Sequence, residues 1–424
     1  MGIRYWELTY ARYISMFRIP KLNTVSCDTL VVGGGVSGVS AAVASGRAGA
    51  KTVLIEKDSF LGGIGYAGLL QHICGLYLNG DSFPAETLNS GIVREIATGL
   101  DSLSPHHGVE RLGGTYVLPY SRVDLLAVLV SLCRNVPDLR IEYNATVVSL
   151  SKTGERIVEV MADHSGTPVR FIPGNVIDCS GTGAVSAMAG AHFEISPPER
   201  MQFSGYIFQI RGINGHDETL PIKVPYHLGK AVEEGLLPPN LRYSTFTPGR
   251  LPGEGYCKLS IPGPDSAERE EGARKETLMV HRLLSERIPA LKDSHIGDTS
   301  LRVVDREGRR VTGYYTLREE DVLGARKFPD GVVKNSWPVE LWDQEKGPVY
   351  KFVRKGDYYE IPFRCLTVRG ISNLLCAGRC ISVSPEALGS TRVMGTCVPL
   401  GEEAGLASAH QCRTGSYSGY RDNV

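Results

Sequence analysis

Residues 28–56 read DTLVVGGGVSGVSAAVASGRAGAKTVLIE, and they carry the clearest structural pattern in the chain. A short apolar strand runs into a glycine-rich turn, a helix of small residues follows, and a second apolar strand ends on an acid. That order predicts a βαβ unit. A helix near 121–134, a strand at 140–150 and another at 174–179 continue the alternation. The pattern therefore predicts an α/β protein built on a parallel sheet.

The glycines of this unit follow the spacing Gly33-x-Gly35-x-x-Gly38, between a predicted strand and a predicted helix. This context is typical of a Rossmann-like domain, because the three glycines allow a tight turn, close approach of a pyrophosphate, and close packing of helix on strand. The helix N-terminus offers unpaired N–H groups to the phosphates. Glu56 ends the next strand, where an acid binds ribose hydroxyls. The unit predicts a dinucleotide site without separating NAD from FAD.

The regular alternation of predicted strands and helices is interrupted between about residues 195 and 350. Proline-rich turns, aromatic strands and a charged helix near 266–287 replace the regular alternation, which resumes at 373–379. We therefore expect an inserted mixed α+β substrate lobe within the nucleotide-binding domain. The predicted parts are an N-terminal extension at 1–26, the first part of the nucleotide-binding domain at 27–194, the substrate lobe at 195–350, and the C-terminal part of the nucleotide-binding domain at 351–424.

Composition excludes several classes of protein. Hydrophobic residues make up 42% and charged residues 22% of the 424 positions, which is typical of a globular chain. Because 46 basic residues balance 46 acidic ones, charge gives no support for a nucleic-acid partner. The ten cysteines form no C-x-x-C pair, so we expect buried thiols and no metal site. Without a secretory signal or a long apolar run, we expect a cytoplasmic protein with no membrane span.

Three further segments favour FAD over NAD. The first is a glycine pair shortly after Glu56, where the backbone must pass close to a ribityl chain and an isoalloxazine ring. The second comprises two later strands that carry or end in small residues, and the third brackets a loop that leads into the last helix. The residues assigned to the cofactor in these segments are Lys57, Gly62, Gly63, Ile64, Val147, Ser180, Gly181, Gly378, Arg379, Gly395 and Thr396.

The C-terminal sequence resembles that of the FAD-dependent oxidoreductases of the glutathione-reductase-like flavoprotein fold. Residues 373–382, NLLCAGRCIS, and 386–396, EALGSTRVMGT, are similar to the signature of that family. Residues 309–317, RRVTGYYTL, together with Asp321, resemble a second family segment. The resemblance implies an enzyme with one bound FAD, with the adenine near Val147 and the pyrimidine edge of the flavin above the loop before the last helix. It implies FAD contacts from Gly33, Gly35, Gly38, Glu56, Gly63, Val147, Gly181, Gly378 and Thr396.

Three side chains are candidates for contact with the substrate. His72 follows the Gly62-Gly63 loop and, in this fold, should face the flavin region, where it could accept a proton from a substrate O–H or N–H. A hydrogen-bonded core histidine is the alternative, as is a covalent tether of the flavin to His72 or Cys74. Arg309 and Arg392 could each bind a substrate carboxylate or form a structural ion pair.

These expectations lead to an enzyme that transfers a hydride from a small organic substrate to flavin N5, oxidising an alcohol or an amine or desaturating a carbon chain. No second strand-turn-helix fingerprint predicts a nicotinamide domain, so oxygen, a quinone or a protein partner is the expected electron acceptor. Two alternatives stay open. One is a flavin reductase-type enzyme acting on a double bond, and the other is an electron-transfer or supporting subunit of a larger complex. The sequence leaves a homo-oligomer open as well.

Overall fold

The computed structural model describes residues 23–103, 108–263 and 266–421. The strands are β1 Asn23–Val32, β2 Thr52–Ile55, β3 His72–Ile73, β4 Glu110–Leu112, β5 Thr115–Pro119, β6 Leu139–Glu142, β7 Ala145–Thr153, β8 Arg156–His164, β9 Thr167–Asp178, β10 Phe193–Glu194, β11 Ser204–Arg211, β12 Thr245–Pro248, β13 Glu254–Ile261, β14 His295–Thr299, β15 Arg310–Val311, β16 Gly331–Asn335, β17 Val339–Asp343, β18 Gly347–Lys351, β19 Tyr359–Pro362 and β20 Leu374–Cys376. The helices are α1 Val36–Arg47, α2 Ile64–Ala67, α3 Ile92–Leu103, α4 Arg122–Arg134, α5 Ala184–Met188, α6 Leu220–Glu233, α7 Ala267–Arg287, α8 Glu319–Leu323, α9 Pro385–Thr391 and α10 Met394–Thr414.

A seven-stranded sheet forms the centre of the molecule, in the order β6-β2-β1-β9-β8-β7, with β20 also paired to β9. Strands β6, β2, β1, β9 and β20 are parallel, and Leu30 of β1 lies between Val53 of β2 and Val176 of β9. These three side chains are fully buried, as expected where helices cover both faces of a parallel sheet. The prediction of a Rossmann-like α/β fold is confirmed.

The predicted single strand at 140–150 is wrong, because the chain turns in its middle. β6 ends at Glu142, and Asn144 adopts a left-handed conformation with φ 52° before β7 begins at Ala145. Asparagine tolerates this conformation better than most residues. As a result β6 stays in the parallel part of the sheet, whereas β7 pairs antiparallel with β8.

The C-terminal helix α10 packs directly on α1. A Cβ atom added at Gly401 would lie 2.0 Å from the carbonyl oxygen of Ser37, and one at Gly405 would lie 2.3 Å from that of Ala41. Only glycine allows the two helix backbones to approach this closely. Together with β20, which pairs with β9, this contact joins the end of the chain to the first βαβ unit.

A second hydrophobic core lies outside the central sheet, between residues 206 and 303. The antiparallel sheet β12-β13-β11-β14 forms one side of this core, through residues such as Phe208 and Leu259, and α6 and α7 form the other. Buried residues from Val311 onward pack with the first core instead. The predicted lobe boundaries at 195 and 350 stay a prediction.

The predicted N-terminal extension, residues 1–26, falls mostly outside the described part of the chain, although its last four residues belong to β1. Among the described helices, none combines the length and the apolar character that crossing a membrane requires.

Candidate active site

The loop between β1 and α1 folds as its glycines predict. Gly33 has φ 105°, and a Cβ there would lie 2.5 Å from the carbonyl oxygen of Cys179. A Cβ on Gly38 would lie 1.7 Å from the carbonyl oxygen of Gly33, so only glycine lets α1 close on β1. Gly35 differs, because a Cβ there would meet nothing within 4 Å. Open space therefore lies beside the residue that caps α1.

The N-terminus of α1 is suited to an anion. Gly35 occupies the capping position, no side chain accepts a hydrogen bond from the first turn, and that turn contains no acidic residue. The first N–H groups of a helix have no partner within the helix and carry a partial positive charge. A phosphate can bind there without displacing a protein group.

Glu56 lies at the end of β2 and supports the glycine turn. Its Oε2 accepts a hydrogen bond from the Gly34 N–H at 2.5 Å, and its Oε1 accepts one from Asp58 N–H at 2.8 Å. Burial raises the pKa of Glu56, against the effect of the two backbone bonds. The Ala145 N–H donates to the Glu56 carbonyl, which brings the start of β7, with Val147, to this end of β2. Lys57 is exposed.

The Gly62-Gly63 pair packs against the glycine turn between β1 and α1. The Gly62 N–H donates to the Gly34 carbonyl at 2.8 Å, and a Cβ on Gly63 would lie 3.0 Å from the Cα of Gly35. Both residues have positive φ, at 100° and 50°. Because Ile64 begins α2, the chain turns away directly after this contact.

The turns after β9 and β20 meet at the same place. Ser180 donates through its hydroxyl to Asp178 at 2.6 Å, and the Arg379 Nε donates to the Gly181 carbonyl at 2.9 Å. A Cβ on Gly378 would lie 3.2 Å from the Cβ of Ser37, in the first turn of α1. These four residues therefore lie beside the N-terminus of α1.

Gly395 and Thr396, predicted to flank the loop that leads into the last helix, lie within the first turn of α10. The Gly395 N–H donates to the Cys74 carbonyl at 2.9 Å, so the helix begins against the segment that follows β3. The Thr396 hydroxyl is buried and has no hydrogen-bond partner among the described residues. No side chain caps this helix either.

A cleft of about 510 Å³ opens between the β3 segment and the second lobe. Its walls are largely aromatic and apolar, with a few polar groups. The lining residues that matter for chemistry are His72, Tyr256, Lys258, Trp337, Glu340 and Tyr350. Cys74 also lines the cleft, and its carbonyl contacts α10, so the cleft adjoins the N-terminus of that helix.

His72 is half-buried in this cleft and pairs with a carboxylate. Its Nε2 lies 3.4 Å from Oε2 of Glu110, on β4. Burial lowers the pKa of His72, and the positive charges of Arg250 and Lys258 lower it further, whereas Glu110 opposes the shift. The imidazole is therefore neutral at neutral pH and can accept a proton.

A group of charged and indole side chains at the cleft was missed by sequence reasoning. Glu340 accepts hydrogen bonds from Trp342 Nε1 at 2.7 Å and from Trp337 Nε1 at 3.3 Å. Lys258 and Arg306 both lie over the Trp342 ring, at 4.4 and 4.1 Å from its centroid. These residues follow no recognisable spacing, and only the folded lobe brings them together.

A sequence profile of the family described as FAD dependent oxidoreductase matches residues 28–418. The chain belongs to the FAD-dependent oxidoreductase family. It is an enzyme, and its cofactor is FAD. A search of the curated proteins gave no significant match.

Solved structures of other proteins resemble the oxidoreductase at low sequence identity. A geranylgeranyl bacteriochlorophyll reductase-like protein from Thermoplasma acidophilum is 13% identical with a TM-score of 0.49, over 95% of this chain and 83% of that one. An anhydrotetracycline hydroxylase from Streptomyces rimosus is 14% identical with a TM-score of 0.49, over 91% of this chain and 63% of that one. A flavin-dependent brominase is 15% identical with a TM-score of 0.48, over 94% and 83% of the two chains.

Three features of the oxidoreductase fit FAD. The open space at Gly35 beside the uncapped α1 suits a pyrophosphate, and Glu56 at the end of β2 suits ribose hydroxyls. The unpartnered Thr396 hydroxyl, in the uncapped first turn of α10, suits the polar edge of a flavin. When bound, FAD supplies the two-electron redox chemistry that side chains lack. The individual contacts stay predictions.

The two predicted substrate arginines occupy different places. Arg392 donates to the carbonyls of Glu340 at 2.8 Å and Arg306 at 3.2 Å, immediately behind the cleft. Arg309 donates to the Thr182 carbonyl at 3.2 Å and lies over the ring of Phe193. Arg309 is not among the residues that line the cleft, and its contact with substrate stays a prediction.

The cysteines of the described part of the chain are unpaired thiols. Ligand atoms of Asp178, Cys376 and Cys380 lie within 4.8 Å of one another. However, the Asp178 carboxylate already accepts hydrogen bonds from the N–H and hydroxyl groups of both Ser180 and Ser186. The hydrogen bonds therefore account for this buried carboxylate without a cation.

Proposed function

We propose that this oxidoreductase oxidises a small organic substrate, an alcohol, an amine or a saturated carbon chain, with flavin N5 as the hydride acceptor. The observation that carries the proposal is His72, a neutral imidazole in a cleft that adjoins the N-terminus of α10. Removing a hydride from carbon also requires a group that takes the proton from oxygen, nitrogen or the neighbouring carbon. His72 supplies that group.

The contact with Glu110 orients the imidazole for this role. Because Nε2 of His72 faces a carboxylate, the proton of the neutral ring belongs on Nε2, and Nδ1 keeps its lone pair. The substrate proton is therefore accepted at Nδ1. The Glu110 carboxylate then stabilises the imidazolium that forms.

The position of the cleft supports contact with both substrate and cofactor. Cys74 lines the cleft with its side chain and accepts the Gly395 N–H with its carbonyl. The family resemblance assigns the start of α10 to the flavin, so a substrate in the cleft would lie next to that segment. A flavin reductase-type enzyme that reduces a double bond would use the same His72 as a proton donor, and it is the second candidate.

The test is anaerobic reduction of the FAD-loaded protein by a panel of alcohols, amines and saturated acids, monitored as loss of the visible absorbance of the oxidised flavin. We expect at least one compound to bleach the flavin. With that compound, His72→Gln should slow flavin reduction by about 10²- to 10⁴-fold, the usual contribution of a general base. FAD affinity should not change.

His216→Gln is the matched control, because His216 also pairs with a carboxylate, Glu218 at 3.3 Å, but on the surface and outside the cleft. In His216→Gln, the same compound should reduce the flavin at the rate measured for the unmodified protein. Equal rates for His72→Gln and the unmodified protein would refute the proton-acceptor role. If no compound bleaches the flavin, but chemically reduced protein is reoxidised by an activated alkene, the enzyme is a reductase instead.

A further inference from the structure

We propose that the cleft recognises a carboxylate on an apolar or aromatic substrate, and that the ammonium group of Lys258 binds it. The proposal rests on the proposed function for the statement that the cleft is the substrate site. Nothing in the sequence motifs points to Lys258. Lys258 stands out by its position, by the lack of an ion-pair partner among the described residues and by the charges around it.

Strand β13 presents Lys258 to the cleft by simple alternation. Cys257 and Leu259 are fully buried in the core of the second lobe, whereas Tyr256 and Lys258, on the opposite face, line the cleft. On the neighbouring strand β11, Ile207 pairs with Lys258 and also lines the cleft. Because β13 is an inner strand of its sheet, the ammonium group is attached to a rigid support.

Lys258 has a cationic side chain that the protein does not neutralise. Its Nζ lies over the Trp342 ring, and within the described residues no carboxylate approaches it to ion-pair distance. Burial lowers its pKa to about 8, and the positive charge of Arg306 adds to that effect. A half-buried ammonium without a carboxylate partner is unfavourable unless a ligand supplies the negative charge.

The surroundings of Lys258 carry excess positive charge. Arg306 and Arg392 donate to main-chain carbonyls, those of Phe203 for Arg306 and of Glu340 for Arg392, and neither forms an ion pair within the described residues. The nearby carboxylate is Glu340, and its two oxygens accept from indole N–H groups. Three cations therefore face one carboxylate. This imbalance favours an anionic ligand.

The walls of the cleft indicate what the anion is attached to. Apart from Lys258 and Glu340, they include the rings of Tyr256, Trp337, Tyr350 and Phe352. Such walls bind an apolar body by exclusion of water. One ammonium group and apolar walls suit a monocarboxylate with a hydrocarbon or aromatic body better than a heavily charged phosphate ester.

The direct test uses benzoate as the probe and benzamide as its uncharged counterpart. Benzoate should perturb the visible spectrum of the FAD-loaded protein, and calorimetry should detect its binding to the flavin-free protein as well. Lys258→Met should weaken benzoate binding by about 10- to 100-fold, the range expected for a charge-assisted hydrogen bond. Lys258→Arg should retain most of the affinity, and benzamide should bind at least about tenfold more weakly than benzoate.

Lys230→Met is the matched control, since Lys230 lies on α6 and pairs with Glu233 outside the cleft. Unchanged benzoate affinity in Lys258→Met would overturn the proposal. The proposal would also fail if Lys258→Met kept its benzoate affinity but bound FAD more weakly or had a shifted flavin potential. In that case the cations around Lys258 would interact with the flavin and not with a substrate. Since calorimetry needs no turnover, benzoate binding to a protein that oxidises nothing would separate failure of the proposed reaction from failure of this proposal.

Discussion

The two sides of the candidate active site are built in different ways. On the cofactor side, the N-terminus of α1 presents backbone N–H groups, the first turn of α10 presents the unpartnered Thr396 hydroxyl, and glycines keep side chains out of the way. On the substrate side, the cleft presents His72, Lys258 and Glu340 from segments far apart in the chain. The cofactor side is therefore defined by missing side chains, and the substrate side by the side chains present.

This difference determines how each side responds to substitution. A glycine at a close backbone contact tolerates no other residue, because the neighbouring atom is backbone and cannot move aside. A cleft side chain such as Lys258 can be exchanged without disturbing the main chain of β13. Damage on the cofactor side should appear as loss of fold or of FAD, and damage on the substrate side as loss of affinity or rate.

The largest effect is expected from Gly38→Ala. The added Cβ would lie 1.7 Å from the Gly33 carbonyl oxygen, so α1 must move away from β1. Overpacking of this kind lowers the free energy of unfolding by several kcal/mol. We therefore expect the variant to be largely insoluble or to melt at least about 10 °C below the unmodified protein. Thermal unfolding followed by circular dichroism measures this.

Gly229→Ala in α6 is the control for that substitution, because a Cβ there meets nothing within 4 Å. It should leave the melting temperature unchanged or raise it slightly, given the helix propensity of alanine. A Gly38→Ala protein as stable as Gly229→Ala would show that α1 does not pack on β1 as closely as the structure has it.

Gly35→Ala should separate cofactor binding from folding. Its Cβ would meet no protein atom within 4 Å and its φ of −64° suits alanine, so the flavin-free protein should fold with an unchanged melting temperature. The same Cβ would occupy the space assigned to the pyrophosphate, and FAD affinity should fall at least about 100-fold. Titration of FAD followed by flavin fluorescence measures this, and an unchanged affinity would place the pyrophosphate elsewhere.

The cofactor side could be predicted from the sequence because its requirements are local. Gly33, Gly35 and Gly38 lie within one turn and the start of one helix, and the spacing of Gly33 and Gly38 reflects the direct contact between the turn and α1. Gly378 and Gly395 are distant in the chain, but the family signature marks them. The break at Asn144 was missed because neither strand pattern nor composition changes there, and only pairing partners distinguish β6 from β7.

The substrate side could not be predicted in the same way. Lys258 is one lysine among many in the sequence, and the excess of cations around it depends on how the second lobe packs on the β3 segment. Arg309 was assigned to the substrate from a segment that resembles the family, and its guanidinium contacts Thr182 and Phe193 outside the cleft, so that assignment stays a prediction. Charge patterns of this kind become visible only when the lobe is folded.

The pH dependence of benzoate binding gives the smallest of these effects and tests the substrate side alone. Lys258 faces Arg306, Arg392, Glu340, Cys74 and His72. Burial raises the pKa of the Cys74 thiol and lowers that of His72, and the neighbouring cations lower the pKa of Glu340 against its burial, so these three groups keep one charge state between pH 7 and 9. The two guanidinium groups stay charged as well. The pKa of Lys258 is lowered to about 8, so its ammonium is present below that pH and lost above it. Benzoate affinity should therefore be constant between about pH 7 and 8 and weaken by up to about tenfold per pH unit above it, because the neutral amine must first bind a proton. Lys258→Arg should remove this dependence, since arginine stays charged, and a flat profile in the unmodified protein would exclude Lys258 as the anion-binding group.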